Sequence, residues 1–198
     1  MLARGGAKWV VAASAVPLLA LLQSSLAAAV AVALPVAVVV FFRDPDREPD
    51  GDGVVSPADG KVSVVREEDD RLRVGVFMNL HNVHVNRVPA GGEVGEVVHS
   101  DGAHRPAFSK DSDRNERVET RIGGFEVVQI AGAFARRITT YPDEGDTVER
   151  SDRLGVIAFG SRADVLFPPS YTRDDLLVEK GDRVRAGETV LAPCKTEQ

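Results

Sequence analysis

The stretch Phe159-Gly160-Ser161-Arg162 places a serine hydroxyl directly after a glycine, between two apolar runs, where it is suited to attack its own backbone. A serine hydroxyl is a weak nucleophile and becomes informative only beside groups that can take up its proton. The titratable candidates are Asp59 in Pro57-Ala58-Asp59-Gly60 and two histidines in Leu80-His81-Asn82-Val83-His84. Arg117, in Asn115-Glu116-Arg117, and Arg162 carry guanidinium forks that match phosphate and carboxylate oxygens. Each has an ordinary structural explanation when taken singly. Ser161 suits a turn, Asp59 a local turn hydrogen bond, the histidines a polar strand end and the arginines surface ion pairs.

The spacing of His81 and His84 sends them to opposite sides of an extended chain, whereas a bend between them would aim both into one pocket. A zinc site would draw on His99 and His104 as further ligands, but no HExxH pattern or Cys/His framework is present, and no metal is expected. Cys194 is the lone cysteine, so no intramolecular disulfide forms.

The elements that must position these groups read as short strands. Val54 to Val65 reads as strand, tight turn and strand, with Asp59 on the turn; Leu72 to Asn79 is a further strand. Residues 99 to 117 are polar and without periodicity, a long loop. Strands resume over Arg117 to Ile122 and Phe125 to Ile130, turned by Gly123-Gly124, and over Phe134 to Thr140. Glu144-Gly145-Asp146-Thr147-Val148 recurs as Lys180-Gly181-Asp182-Arg183-Val184, and each copy leads through a turn into an apolar strand. Such paired hairpins have the texture of the half-barrel of biotinyl and lipoyl carrier modules. The expected fold is therefore mainly β, a barrel-sandwich core. Neither copy supplies the carrier lysine. The first copy runs on into Gly160-Ser161, which puts Ser161 between two strands.

The first 42 residues contain no acid and only Arg4 and Lys8 as bases. Trp9 to Leu22 and Leu26 to Phe42 are apolar runs separated by Gln23-Ser24-Ser25. One straight helix over both would reach about 51 Å, longer than a bilayer core of roughly 30 Å. A membrane-anchoring helical hairpin over residues 1–42, or one span plus a re-entrant piece, fits better, with Pro17 and Pro35 as kinks. Arg4, Lys8, Arg43 and Arg47 flank it, which orients both ends, and with them the domain that follows, toward the cytoplasm. A secretory signal ending near Ser25-Leu26-Ala27 is the competing reading, although the second run would then remain as an anchor. Beyond residue 42 the chain keeps 22 of its 24 basic residues against all 30 acidic ones. Nucleic acid is thereby an unlikely partner. The acidity also suits a protein solvated in high salt.

Pro57-Ala58-Asp59-Gly60, His81-Asn82-Val83-His84, Asn115-Glu116-Arg117 and Phe159-Gly160-Ser161-Arg162 occur in the order and approximate spacing of the phosphatidylserine decarboxylase family, and Phe41-Phe42-Arg43-Asp44-Pro45 adds to the match. Over residues 40 to 195 the chain resembles the short archaeal and bacterial type of that proenzyme, which also shares Arg162 where longer members carry serine or threonine.

The resemblance implies that residues 43–198 form a decarboxylase domain whose Ser161 hydroxyl attacks the Gly160 carbonyl. Elimination then leaves a pyruvoyl group at position 161. The products are a β chain, 1–160, and an α chain, 161–198, held as a heterodimer that further dimerises. It implies His84 as base and Asp59 as its orienting group. His81 is the implied proton donor in turnover, since histidine titrates near neutrality. The implied substrate is a serine phospholipid at the membrane, phosphatidylserine or its archaeal ether-lipid counterpart, with Arg117 or Arg162 pairing with its phosphate or carboxylate. Two other classes stay open: a membrane-tethered binding or carrier module on the same half-barrel, and a membrane serine peptidase.

Overall fold

Two helices begin the chain, α1 (Gly6–Ala20) and α2 (Ser25–Phe41), both built almost wholly of small and aliphatic residues. The computed structural model describes residues 2–4, 6–20, 25–102, 115–132, 138–158 and 160–195. The chain divides into two units, Met1–Asp46 and Arg47–Gln198.

In the first unit α1 and α2 pack as a hairpin whose outer ends meet. The Ala3 amide donates to the Phe42 carbonyl at 2.9 Å, and Leu2 bridges Arg43. Gly6 is needed at that closure, because a Cβ there would lie 2.9 Å from the Phe42 Cβ. Pro35 lies inside α2, where it removes one backbone donor. The expected helical hairpin is present, but the helices are 15 and 17 residues long. Among the described residues no helix is long and apolar enough to cross a membrane, so the expected membrane-spanning helices are not shown.

The second unit is β-rich. Its strands are β1 (Val54–Val55), β2 (Gly60–Glu68), β3 (Arg71–Met78), β4 (Val85–Arg87), β5 (Gly92–Ser100), β6 (Arg117–Ile122) and β7 (Phe125–Ile130). They continue with β8 (Ile138–Thr140), β9 (Thr147–Val148), β10 (Arg153–Ile157), β11 (Ser161–Leu166), β12 (Arg183–Val184) and β13 (Val190–Ala192). The main sheet runs β12-β2-β3-β11-β7-β6-β5-β9, beside a three-stranded sheet β4-β10-β8 and the pair β1-β13.

Period-2 patterning sets the faces. Along β3, Leu72, Val74, Val76 and Met78 enter the core with Ala163, Val165 and Phe167 of and after β11. Burial of each larger aliphatic side chain stabilises the fold by about 1.5–3 kcal/mol. β2 and β3 are joined at Asp69-Asp70, whose φ values of 50° and 60° are the pair of left-handed residues a two-residue hairpin turn requires. The expected Gly123-Gly124 turn joins β6 to β7 in the same way.

The two Gly-Asp copies fold alike. The Asp146 carboxylate accepts from the Asp143 amide, and that of Asp182 from the Glu179 amide, both at 2.8 Å. The strands that follow, β9 and β12, form the two opposite edges of the main sheet.

Two expectations are corrected. Val54–Val65 is not a hairpin: β1 pairs with β13, while β2 pairs with β3 and β12. The loop expected from residue 99 begins later, because His99 still pairs with Val118 in β5. Residues 103–114, with His104, lie outside the described residues, as do Phe134 to Arg137 of the strand expected to end at Thr140.

Candidate active site

β10 delivers the chain to Gly160, which has φ +61°, and Ser161 then opens β11. A Cβ at Gly160 would meet nothing within 4 Å, so glycine is required there for its backbone conformation rather than for space. Phe159 lies outside the described residues. Ser161 is fully buried and stands opposite Met78 in the β3–β11 ladder, with its Oγ donating weakly to the Met78 Sδ at 3.9 Å. That register sets the serine beside the last residue of the strand that leads into the histidines.

After Met78 the chain turns at Asn79–Asn82. The Asn82 amide donates to the Asn79 carbonyl at 3.0 Å, and the Asn79 amide to Asn82 Oδ1 at 2.8 Å. This turn supplies the bend that could separate or unite the two histidines, and it gives them different environments. His81 is exposed near its tip, and His84 is buried at 1% exposure. The His84 Nδ1 lies 2.9 Å from the Asn82 carbonyl oxygen. A carbonyl can only accept, so Nδ1 carries a proton in this bond, and in the neutral ring Nε2 is then the nitrogen suited to act as a base. The His84 carbonyl accepts from the Ile157 amide at 3.3 Å, which lays this segment along the strand that approaches the Gly160 bend.

Asp59, the group expected to orient the histidine, lies on the turn that precedes β2. Its carboxylate receives Arg47 Nη2 at 3.0 and 3.1 Å and the Ala186 amide at 2.9 Å. At Nδ1 the His84 ring bonds the Asn82 carbonyl.

A buried amide network ties the segments together. Asn86 Nδ2 donates to the Pro57 carbonyl at 3.3 Å and to the Met78 Sδ at 3.6 Å, and Gln129 Nε2 donates to Asn86 Oδ1 at 2.8 Å. The Arg87 amide donates to the same Pro57 carbonyl. Through these bonds the Pro57–Gly60 turn, the histidine segment and the Ser161 strand share one neighbourhood. Gly155 of β10 makes room for the network, since a Cβ there would lie 3.0 Å from Gln129 Nε2 and 2.4 Å from the Thr139 carbonyl oxygen. Gly155→Ala is expected to lower stability by about 1–3 kcal/mol, because backbone must shift. Urea midpoints measured in a Ser161→Ala background, where no chain is cut, check this; an unchanged midpoint would contradict it.

Arg162 and Arg117 project from the sheet face opposite the one that carries the Ser161 side chain. Arg162 is buried and gives Nε and Nη2 to Asp164 at 2.8 and 2.9 Å. Arg73 Nε also donates to Asp164 Oδ2, at 2.7 Å, and its Nη1 holds Glu68. Burial opposes the charge on Arg73, but the Asp164 and Glu68 carboxylates outweigh it and raise the guanidinium above its usual range. Arg117 bonds Glu119 at 2.6 Å and lines a cavity of about 310 Å³ with Arg71, Arg73 and Glu126 over a floor of Val128, Ile130 and Leu166. The structure therefore does not bring these two arginines to the Ser161 hydroxyl. Asn115 is also architectural in its contacts, donating to the Ala131 carbonyl at 2.8 Å where β6 meets the end of β7.

The sequence reading missed Asn86, Gln129, Asp164 and the second role of Arg47. A polar residue inside an apolar run was the available signal, in Val127-Val128-Gln129-Ile130 and in Ala163-Asp164-Val165. Such a residue, once buried, requires a partner. Among the described residues no cluster of histidine, cysteine and acidic groups could hold a metal ion.

Comparison with known proteins adds an independent finding. The family model described as phosphatidylserine decarboxylase matches residues 34–192. A Halobacterium salinarum protein named "Putative archaetidylserine decarboxylase proenzyme" is 60% identical over 195 residues, 97% of this chain and 100% of that one. A Methanosarcina mazei protein of the same name is 42% identical, with 100% of this chain and 99% of that one covered. A Streptomyces avermitilis "Phosphatidylserine decarboxylase proenzyme" is 46% identical, over 95% and 91% of the two chains. No solved structure matches.

Proposed function

The chain belongs to the phosphatidylserine decarboxylase family, and on that premise we propose that it is a self-processing enzyme that decarboxylates a serine phospholipid to the ethanolamine phospholipid. The observation that carries the reading is the meeting of Gly160, in a left-handed conformation, and buried Ser161 with the strand that leads into the histidines. In maturation His84 Nε2 takes the Ser161 hydroxyl proton while Oγ bonds to the Gly160 carbonyl carbon. The C–N bond breaks and the freed nitrogen is protonated, leaving residues 1–160 as an ester on Ser161. Loss of the Ser161 Cα proton expels the Gly160 carboxylate, and water then replaces the nitrogen as ammonia.

The residues fit the ketone so formed. It would begin a strand hydrogen-bonded on both sides, by β3 and β7, and therefore stay seated after the chain is cut. When present, that pyruvoyl group supplies the electron sink for loss of carbon dioxide from the bound amine. His81, exposed on its turn, exchanges protons with solvent and delivers one to the carbon left behind. The two equivalent hairpins support a barrel-sandwich core of the biotinyl type.

A membrane setting is supported by the apolar surface of the first unit, where Trp9, Val11, Val30, Val32, Val36 and Val40 are exposed. The hairpin would lie in the bilayer with the catalytic domain on the cytoplasmic side, given its flanking bases. The processed chains would act as a heterodimer that further dimerises. The reading is tested by offering carboxyl-labelled phosphatidylserine and archaetidylserine to membranes that contain the chain. Label is expected to leave as carbon dioxide from at least one, at a rate at least tenfold above a Ser161→Ala control; release from neither overturns it.

A further inference from the structure

Arg47 reads in the sequence as a basic residue flanking an apolar segment, yet its guanidinium is buried at the heart of a three-residue ion cluster. Nη2 spans both oxygens of Asp59, and Nη1 bonds Glu188 at 3.0 Å. The side chains of Arg47, Asp59 and Glu188 are 6%, 12% and 18% exposed. The Ala186 amide closes on Asp59 Oδ1 from the same turn that carries Glu188. Burial acts to raise the Glu188 carboxyl, but the bonds from Arg47 and then Arg185 outweigh it and hold it below the ordinary carboxylate value.

We infer that Arg47 is a positioning residue for Asp59, fixing the acid from both sides of the bond that is to be cut. This rests on the self-cleavage reading above. Arg47 and Asp59 lie before Gly160, while Ala186 and Glu188 lie after it, so the acid is seated by groups from both future chains. The turn that carries Asp59 cannot fix its carboxylate alone, since no hydrogen bond to the turn's own backbone reaches that carboxylate among the described residues; its partners are Arg47 and Ala186. Arg47 also separates two acids that share one guanidinium. Without it, Asp59 and Glu188 face one another in a poorly solvated site, where like charges drive protonation or displacement of one of them. Glu188 in turn braces the guanidinium, so that the fork is aimed before Asp59 engages it.

Full-length chains made in a cell-free system provide the test, with release of the 161–198 fragment followed over time. Arg47→Ala is expected to slow cleavage at least tenfold. Arg47→Lys, which keeps the charge but loses the fork, is expected to fall between it and wild type. Millimolar guanidinium ion is expected to restore part of the lost rate to Arg47→Ala. Melting of the same variants in a Ser161→Ala background separates folding from positioning. Wild-type rates in Arg47→Ala overturn the proposal. So does a slow Arg47→Ala that neither lysine nor guanidinium improves and whose melting temperature falls in step. Wild-type protein that never cleaves overturns the self-cleavage reading instead, so the two failures are distinguishable.

Discussion

Ser161→Ala is expected to leave the chain as one uncut 21.2 kDa polypeptide, where the wild type separates into residues 1–160 and 161–198 with a blocked amino end on the second fragment. The effect is total because the serine is both the attacking group and the atom source of the cofactor. Removing it denies the backbone its nucleophile and denies the mature enzyme its ketone, so lipid decarboxylation falls to background as well. The fold should barely notice. Oγ is held by a thioether at 3.9 Å, a weak acceptor, and the β3 and β7 ladders around residue 161 do not involve it. Melting temperatures of the variant and of freshly made uncut wild type are therefore expected to agree within a few degrees. Denaturing gels and mass spectrometry read the outcome, and continued cutting at residue 160 in Ser161→Ala would sink the mechanism.

The second large effect separates the two histidines. His84→Ala is expected to block maturation, with cleavage slowed by about 10²–10⁴-fold, the range that a positioned general base contributes. His81→Ala is expected to cleave normally and then fail in lipid turnover by a factor of similar size. The division follows from their surroundings. His84 is buried with Nδ1 bonded to a backbone carbonyl, so that Nε2 is the nitrogen suited to act as a base, whereas His81 sits exposed on the Asn79–Asn82 turn. Loss of His84 also strands the Asn82 carbonyl, at a cost of about 1–3 kcal/mol, so a folding defect must be separated from a chemical one. Added imidazole should restore cleavage to His84→Ala if the defect is chemical. Equal cleavage failure in both variants would refute the division of roles.

The buried charges explain why some residues read as functional are spent on architecture. Arg162 follows the reactive serine, a position that invites a substrate role, yet strand alternation turns it to the other face of the sheet, where Asp164 takes it. Asp164 needs two arginines because a carboxylate without exposure is costly unless fully paired. Gly75 stands opposite for the same reason, since a Cβ there would lie 2.5 Å from Asp164 Oδ1. On the self-cleavage reading, Arg162 and Asp164 would lie within three residues of the new end and help hold it in the sheet.

Local spacing by itself determined much of this protein. The Gly160-Ser161 bend, the alternating strands, the repeated Gly-Asp hairpins and the paired apolar helices follow from contacts within a few residues, and such contacts are written directly in neighbouring side chains. The order of the motifs was enough to indicate the family. Only the tertiary structure decided which strands pair across long separations, and those pairings moved the site's details. β1 joins β13 and β2 joins β12, which carries the 186–188 turn to Asp59 and gives that acid to Arg47. The ring of His84 is oriented by a backbone carbonyl, a partner that no residue type announces. Registers and faces are sums over many weak long-range contacts, so residue identities at 59 and 162 could name candidates for chemistry but could not say which groups they would meet.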